Sequence, residues 1–128
     1  MANATVLRVD DKPIVREVFK AALEGAGFRV ATLESALRLN GAIRDHDPDL
    51  ILLDISMPAL RGDRAAAFLK QRRFSSEIPV LLFSDSEEAE LKRLAADCGA
   101  SGYVRKSPDH SILLATISRH LARRVMAS

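Results

Sequence analysis

Near the middle of the chain stands Leu50-Ile51-Leu52-Leu53-Asp54. It reads as an apolar strand ended by a carboxylate, and open parallel sheets hold their ligands outside the carboxyl ends of their strands. Toward the N-terminus, Thr5 to Val9 is a second apolar run and ends in Asp10-Asp11. Val80 to Phe83 is a third and ends in the hydroxyl of Ser84, while Gly102-Tyr103-Val104 is followed closely by Lys106. Three carboxylates, a hydroxyl and an ammonium at strand ends can converge on one cleft, a set that suits phosphate and a divalent cation.

Between these runs lie longer segments of helical period, an alternation that argues for βαβ units and a parallel sheet. Five units can be read. Pro13 suits the first turn of a first helix with Ile14, Val18, Ala21 and Ala22 inward, and Gly25 and Gly27 fit its stop. Phe28 to Thr32 is the next strand, and Leu33 to about Arg44 reads as a second helix with Ala36, Leu37 and Ile43 inward, before Pro48 forces a break. Asp63 to Arg72 is expected as a third helix, after a loop opened by Met57-Pro58 and a turn at Gly62. In the fourth, Glu87 to Asp97, acids lead and bases follow, in accord with the helix dipole, with Leu91, Leu94 and Ala95 inward and Gly99 at the end. Ser107-Pro108 reads as an N-cap and first helical residue of a last helix carrying Leu113, Leu114, Ile117 and Leu121.

Length and charge narrow the function. At 128 residues the chain is expected to form one domain, 1–128 with a core of about 5–124, and no separate output domain. With 19 Lys+Arg against 17 Asp+Glu, the balance does not point to nucleic acid. A single cysteine, Cys98, excludes an internal disulfide. No signal peptide and no run of roughly 18 apolar residues can be read, so a cytoplasmic protein without membrane insertion is expected.

Taken together, Val9-Asp10-Asp11, Leu53-Asp54 with Met57-Pro58 and Gly62 after it, Ser84, and Gly102-Tyr103-Val104-Arg105-Lys106 resemble the receiver domain of bacterial two-component response regulators. Any one fragment is weak, but all of them stand in order on matching units, and the resemblance runs from about Thr5 to Arg124. It implies a flavodoxin-like (βα)5 fold with strand order 2-1-3-4-5. It also implies a phosphorelay switch rather than an enzyme, in which Asp54 accepts a phosphoryl group from a histidine kinase or phosphotransfer protein. Mg²⁺ would be held by Asp10, Asp11, Asp54 and the backbone carbonyl of Ser56, since it favours carboxylate oxygens and retained waters. Lys106 and Ser84 would contact the phosphoryl oxygens. Ser84 and Tyr103 would carry the change to the face of the fourth helix, fifth strand and fifth helix, for a downstream protein or a second copy of the chain.

Several residues depart from the family pattern. Arg8 lies in the first strand on the same sheet face as Asp10, and a buried guanidinium there needs an edge or an acid. Ser107 replaces a frequent proline, so the Lys106-Ser107 bond is expected to be trans. Asp85 adds a carboxylate near the cleft, expected either to repel anionic donors or to cap the next helix, and Arg61 stands where an acid is frequent. His46, His110 and His120 read as surface residues and Cys98 as a small buried one. An aspartyl phosphatase of the haloacid dehalogenase type is disfavoured, because Ser56 stands where that group needs a second acid. A phosphorylation-independent pseudo-receiver acting as a docking module is the alternative.

Overall fold

The structure is a computed structural model that describes residues 4–10, 13–34, 38–54 and 78–127. Five strands, β1 (Thr5–Val9), β2 (Arg29–Leu33), β3 (Leu50–Asp54), β4 (Val80–Ser84) and β5 (Gly102–Arg105), form one parallel sheet in the order β2-β1-β3-β4-β5. The described helices are α1 (Pro13–Gly25), α2 (Leu39–His46), α3 (Glu88–Cys98) and α4 (Ser111–Ala127). The expected helix over 63–72 lies outside the described residues, so α3 and α4 here are the helices read above as fourth and fifth.

The central strands β3 and β4 are buried at every position, as expected of runs covered on both faces. Strand alternation sorts their side chains into two cores. Leu7, Val9, Ile51, Leu53, Val80 and Leu82 pack with Leu39 and Ile43 of α2 and Leu91 and Ala95 of α3. Val6, Leu50, Leu52, Leu81, Phe83 and Val104 pack with Phe19 and Leu23 of α1 and Leu113, Ile117 and Leu121 of α4. β2 forms one sheet edge and keeps Arg29 and Thr32 exposed. α1 gives way to β2 through Gly27 at φ 98°, and α3 ends at Gly99 at φ 75°, both in the left-handed region that glycine adopts without a steric penalty.

Four local expectations are corrected. The α1 stripe is phased differently: Val18 is 51% exposed and Ala21 is exposed, while Phe19 and Leu23 are buried. An aromatic and a leucine bury more apolar area than valine and alanine, and that larger gain sets the face. Leu33 is the last residue of β2, paired with Val9, so α2 starts at Leu39 and not at Leu33. α4 starts at Ser111, four residues after Ser107; the Ser107 hydroxyl accepts from Asp109 N at 3.2 Å, and the Asp109 carboxylate accepts from Ser111 N at 3.0 Å. Consecutive side-chain turns thus precede the helix, and Ser107 does not cap it.

His120 is the fourth correction, because it is buried. Its Nδ1 lies 2.9 Å from the carbonyl of Thr116 and its Nε2 3.2 Å from that of Ser101. Gly102 makes the room: a Cβ there would come within 3.1 Å of the imidazole. His46 is exposed and His110 half-buried against the Phe19 ring, while the side chains of Ile14 and Cys98 lie outside the described set.

Candidate functional site

Strand order fixes where the acids meet. The chain leaves β1 toward β2 on one side and returns at β3 on the other, so the switch point lies between the carboxyl ends of β1 and β3. Val9 pairs with Leu53 there, which sets Asp10 beside Asp54 at the mouth of the crevice. Both carboxylates are buried, at 0% and 2% exposure.

Each is held by a cation. Lys106 Nζ donates to Asp54 Oδ2 at 2.7 Å, reaching over from the end of β5. Its backbone N donates to the Ser84 carbonyl at 2.7 Å and extends the β4–β5 ladder to the lysine itself. The Lys106-Ser107 bond is trans. Arg8 Nη2 donates to Asp10 Oδ2 at 2.6 Å, with the arginine 1% exposed, so Arg8 pairs with an acid and does not reach an edge.

Ser84 is fully buried at the end of β4. Its Oγ lies 2.9 Å from Ser86 Oγ and accepts from Ser86 N at 3.1 Å, a local turn that holds the hydroxyl at the sheet edge. Tyr103 is half-buried against the α2–α3 side of the sheet, and its hydroxyl donates to Glu88 Oε1 in the first turn of α3 over a long 3.4 Å. Desolvation, and then the facing Glu88 carboxylate, push the phenol above its ordinary value. Asp85 is exposed in the turn after Ser84. The N-cap of α3, Glu87, makes no side-chain capping bond.

The structure therefore brings Asp10, Asp54, Ser84 and Lys106 to neighbouring strand ends, while Asp11, Ser56, Met57, Pro58, Arg61 and Gly62 lie outside the described residues. Among the described residues no group of three or more His, Cys, Asp or Glu is poised to hold a metal. Sequence reading passed over the setting of Arg8. Its guanidinium lies 4.7 Å from the ring centre of Phe19 and 5.3 Å from that of Phe83, and these two rings meet edge to face at 4.9 Å. Lys106 Nζ stands 5.5 Å from the Phe83 ring, so one phenylalanine sits beside both cations of the site. The available signal was the period-2 alternation of β1 and β4, which puts Arg8 and Phe83 on the face shared by Val6 and Leu81.

Comparison with known proteins agrees with this geometry. The response regulator receiver domain family matches residues 6–118. The phosphate regulon transcriptional regulatory protein PhoB of Pseudomonas aeruginosa is 32% identical over 96% of this chain, which spans 54% of PhoB, about half its length. Protein PilH of the same organism is 34% identical, over 93% of this chain and 98% of PilH. A putative response regulator from Chloroflexus aurantiacus superposes with a TM-score of 0.87 at 25% identity, covering 94% of this chain and 98% of that one. No helix among the described residues is long and apolar enough to cross a membrane. On the family match and the strand order together, the chain belongs to the response regulator receiver domains of two-component systems.

Proposed function

We propose that residues 1–128 act as one receiver unit in which Asp54 accepts a phosphoryl group from the phosphohistidine of a histidine kinase or phosphotransfer protein. The observation that supports this most is the buried Asp54 carboxylate beside Asp10, with Lys106 at 2.7 Å, at the switch point of the sheet. An Asp54 carboxylate oxygen attacks phosphorus as the phosphorus–nitrogen bond breaks, and the electron pair of that bond leaves with the imidazole. The work is mostly positioning and charge stabilisation. Lys106 moves its ammonium from Asp54 Oδ2 to a phosphoryl oxygen, and Ser84 exchanges Ser86 for another.

The donor set fits Mg²⁺: two buried carboxylates on adjacent strands present only hard oxygens, with Asp11 and the Ser56 carbonyl expected to complete the protein's share. When bound, the ion supplies charge neutralisation and alignment of the transferred group. Phosphorylation adds roughly 1.5 to 2 negative charges and three strong acceptor oxygens. Drawing Ser84 toward them frees space for Tyr103, whose long contact with Glu88 is weak enough to give up. The face formed by α3, β5 and α4 then changes for a downstream protein or a second copy, and the cytoplasm is the compartment where such a kinase domain is met.

Incubation with a small phosphodonor, read by intact mass, tests the reading. Wild type gains one phosphoryl group in Mg²⁺ and none with chelator, and Asp54→Asn gains none. Equal labelling of the two proteins overturns the acceptor assignment. The Arg8 counter-charge on Asp10 favours one second reading, a docking module that works unphosphorylated, and failure of every donor and kinase to label wild type would select it.

A further inference from the structure

The acid pocket holds a cation that its phosphoryl chemistry does not require. Arg8 comes up from within β1, beneath the site, and its guanidinium is as buried as any side chain in the core. Phe19 from α1 and Phe83 from β4 flank it at 4.7 and 5.3 Å, an arrangement that fixes a planar cation more firmly than a flexible ammonium. Its bond to Asp10 is charge-assisted and short, 2.6 Å. The guanidinium is 1% exposed and enclosed by two rings on the face of the apolar cluster of Val6, Leu50, Leu52 and Leu81, so it cannot leave Asp10 for solvent as a surface cation can. Arg8 therefore stays in place whatever else enters the pocket.

From this we infer that Arg8 is a resident counter-charge that sets how tightly the pocket takes a divalent cation. The inference rests on the proposed Mg²⁺ site and assigns to this chain a residue that tunes it. Two consequences follow from charge alone. One oxygen of Asp10 is shared with a guanidinium at 2.6 Å, which weakens it as a ligand, and that fixed positive charge would repel a divalent cation held by Asp10 across a medium of low dielectric. Asp10 and Asp54 are then each matched by a protein cation, Arg8 and Lys106. Magnesium binds weakly, and the metal-free protein is not driven apart by its own acids.

Isothermal calorimetry of Mg²⁺ into the phosphate-free protein tests this without any phosphodonor, so its outcome is independent of whether Asp54 accepts phosphate. Arg8→Met keeps the length and apolar stem and removes the charge; it is expected to bind Mg²⁺ about tenfold tighter than wild type or more. Arg8→Lys keeps the charge and is expected to stay within about threefold of wild type. If Arg8→Met needs the ion to fold, Mg²⁺ should restore its circular dichroism at concentrations below those that saturate wild type. Phe19→Leu, which leaves the pair intact and loosens its aromatic slot, gives a folded intermediate with affinity between the two. Equal affinity in wild type, Arg8→Met and Phe19→Leu, or no binding in any of them, overturns the inference.

Discussion

Two ion pairs sit side by side at the sheet edge with nearly equal contact lengths, Arg8 to Asp10 at 2.6 Å and Lys106 to Asp54 at 2.7 Å, and they are built for opposite ends. Arg8 is 1% exposed and Asp10 0%, whereas Lys106 is 15% exposed over an Asp54 at 2%. The first cation is a rigid fork clamped by two phenylalanine rings; the second is a point charge on a four-carbon stem that can turn into water. Distance alone does not distinguish them. What separates a permanent pair from an exchangeable one is whether the cation can turn into solvent, and at 15% exposure against 1% the lysine can while the arginine cannot.

Removing the acid from each pair should expose that difference. Asp10→Ala removes the acid paired with a buried guanidinium and is expected to lose about 3 to 5 kcal/mol of stability, the range seen when one partner of a buried pair is deleted. Asp54→Ala leaves a lysine that reorients to solvent and should lose about 1 kcal/mol or less. Urea unfolding of both variants measures the gap. If the two losses are equal, Arg8 has an escape route and the permanence argued for its pair is wrong.

The same contrast explains what could be read in the residues and what could not. Strand ends were legible because a buried parallel strand is a contiguous apolar run, and the polar residue that ends it announces the site: Asp10, Asp54 and Ser84 follow directly from their runs. Lys106 was legible only through its company, as a lone lysine after a strand says nothing. The partner of Arg8 was half visible, since alternation placed it on the face of Asp10 but could not choose between an acid and a sheet edge. The aromatic slot was hidden, because Phe19 belongs to a helix whose phase turns on small differences in apolar area, and Val18 competes with it at the next position. His120 was misread for a related reason. The space that buries it comes from the missing side chain of Gly102, a tertiary fact with no local signature. Asp11 and Ser56 stand as proposals from resemblance, outside the described residues.

The smallest effect belongs to the second carboxylate contact on β5, between Tyr103 and Glu88. Its 3.4 Å separation is at the outer limit for a hydroxyl donor, and it is exposed to solvent, so Tyr103→Phe should leave stability at neutral pH nearly unchanged. The difference appears in alkali. Desolvation and the Glu88 carboxylate raise the phenol above its ordinary value of 10.0, so between that value and the raised one the folded protein keeps a proton that the unfolded chain has lost. Stability from this group is therefore complete below pH 10 and is lost as pH rises through the folded-state value. Urea midpoints followed from neutral pH to beyond that range should fall more steeply for wild type than for Tyr103→Phe. Parallel curves would mean that Glu88 exerts no field on the phenol. The 3.4 Å contact would then hold Tyr103 no more than solvent does, and its movement would depend on Ser84 alone.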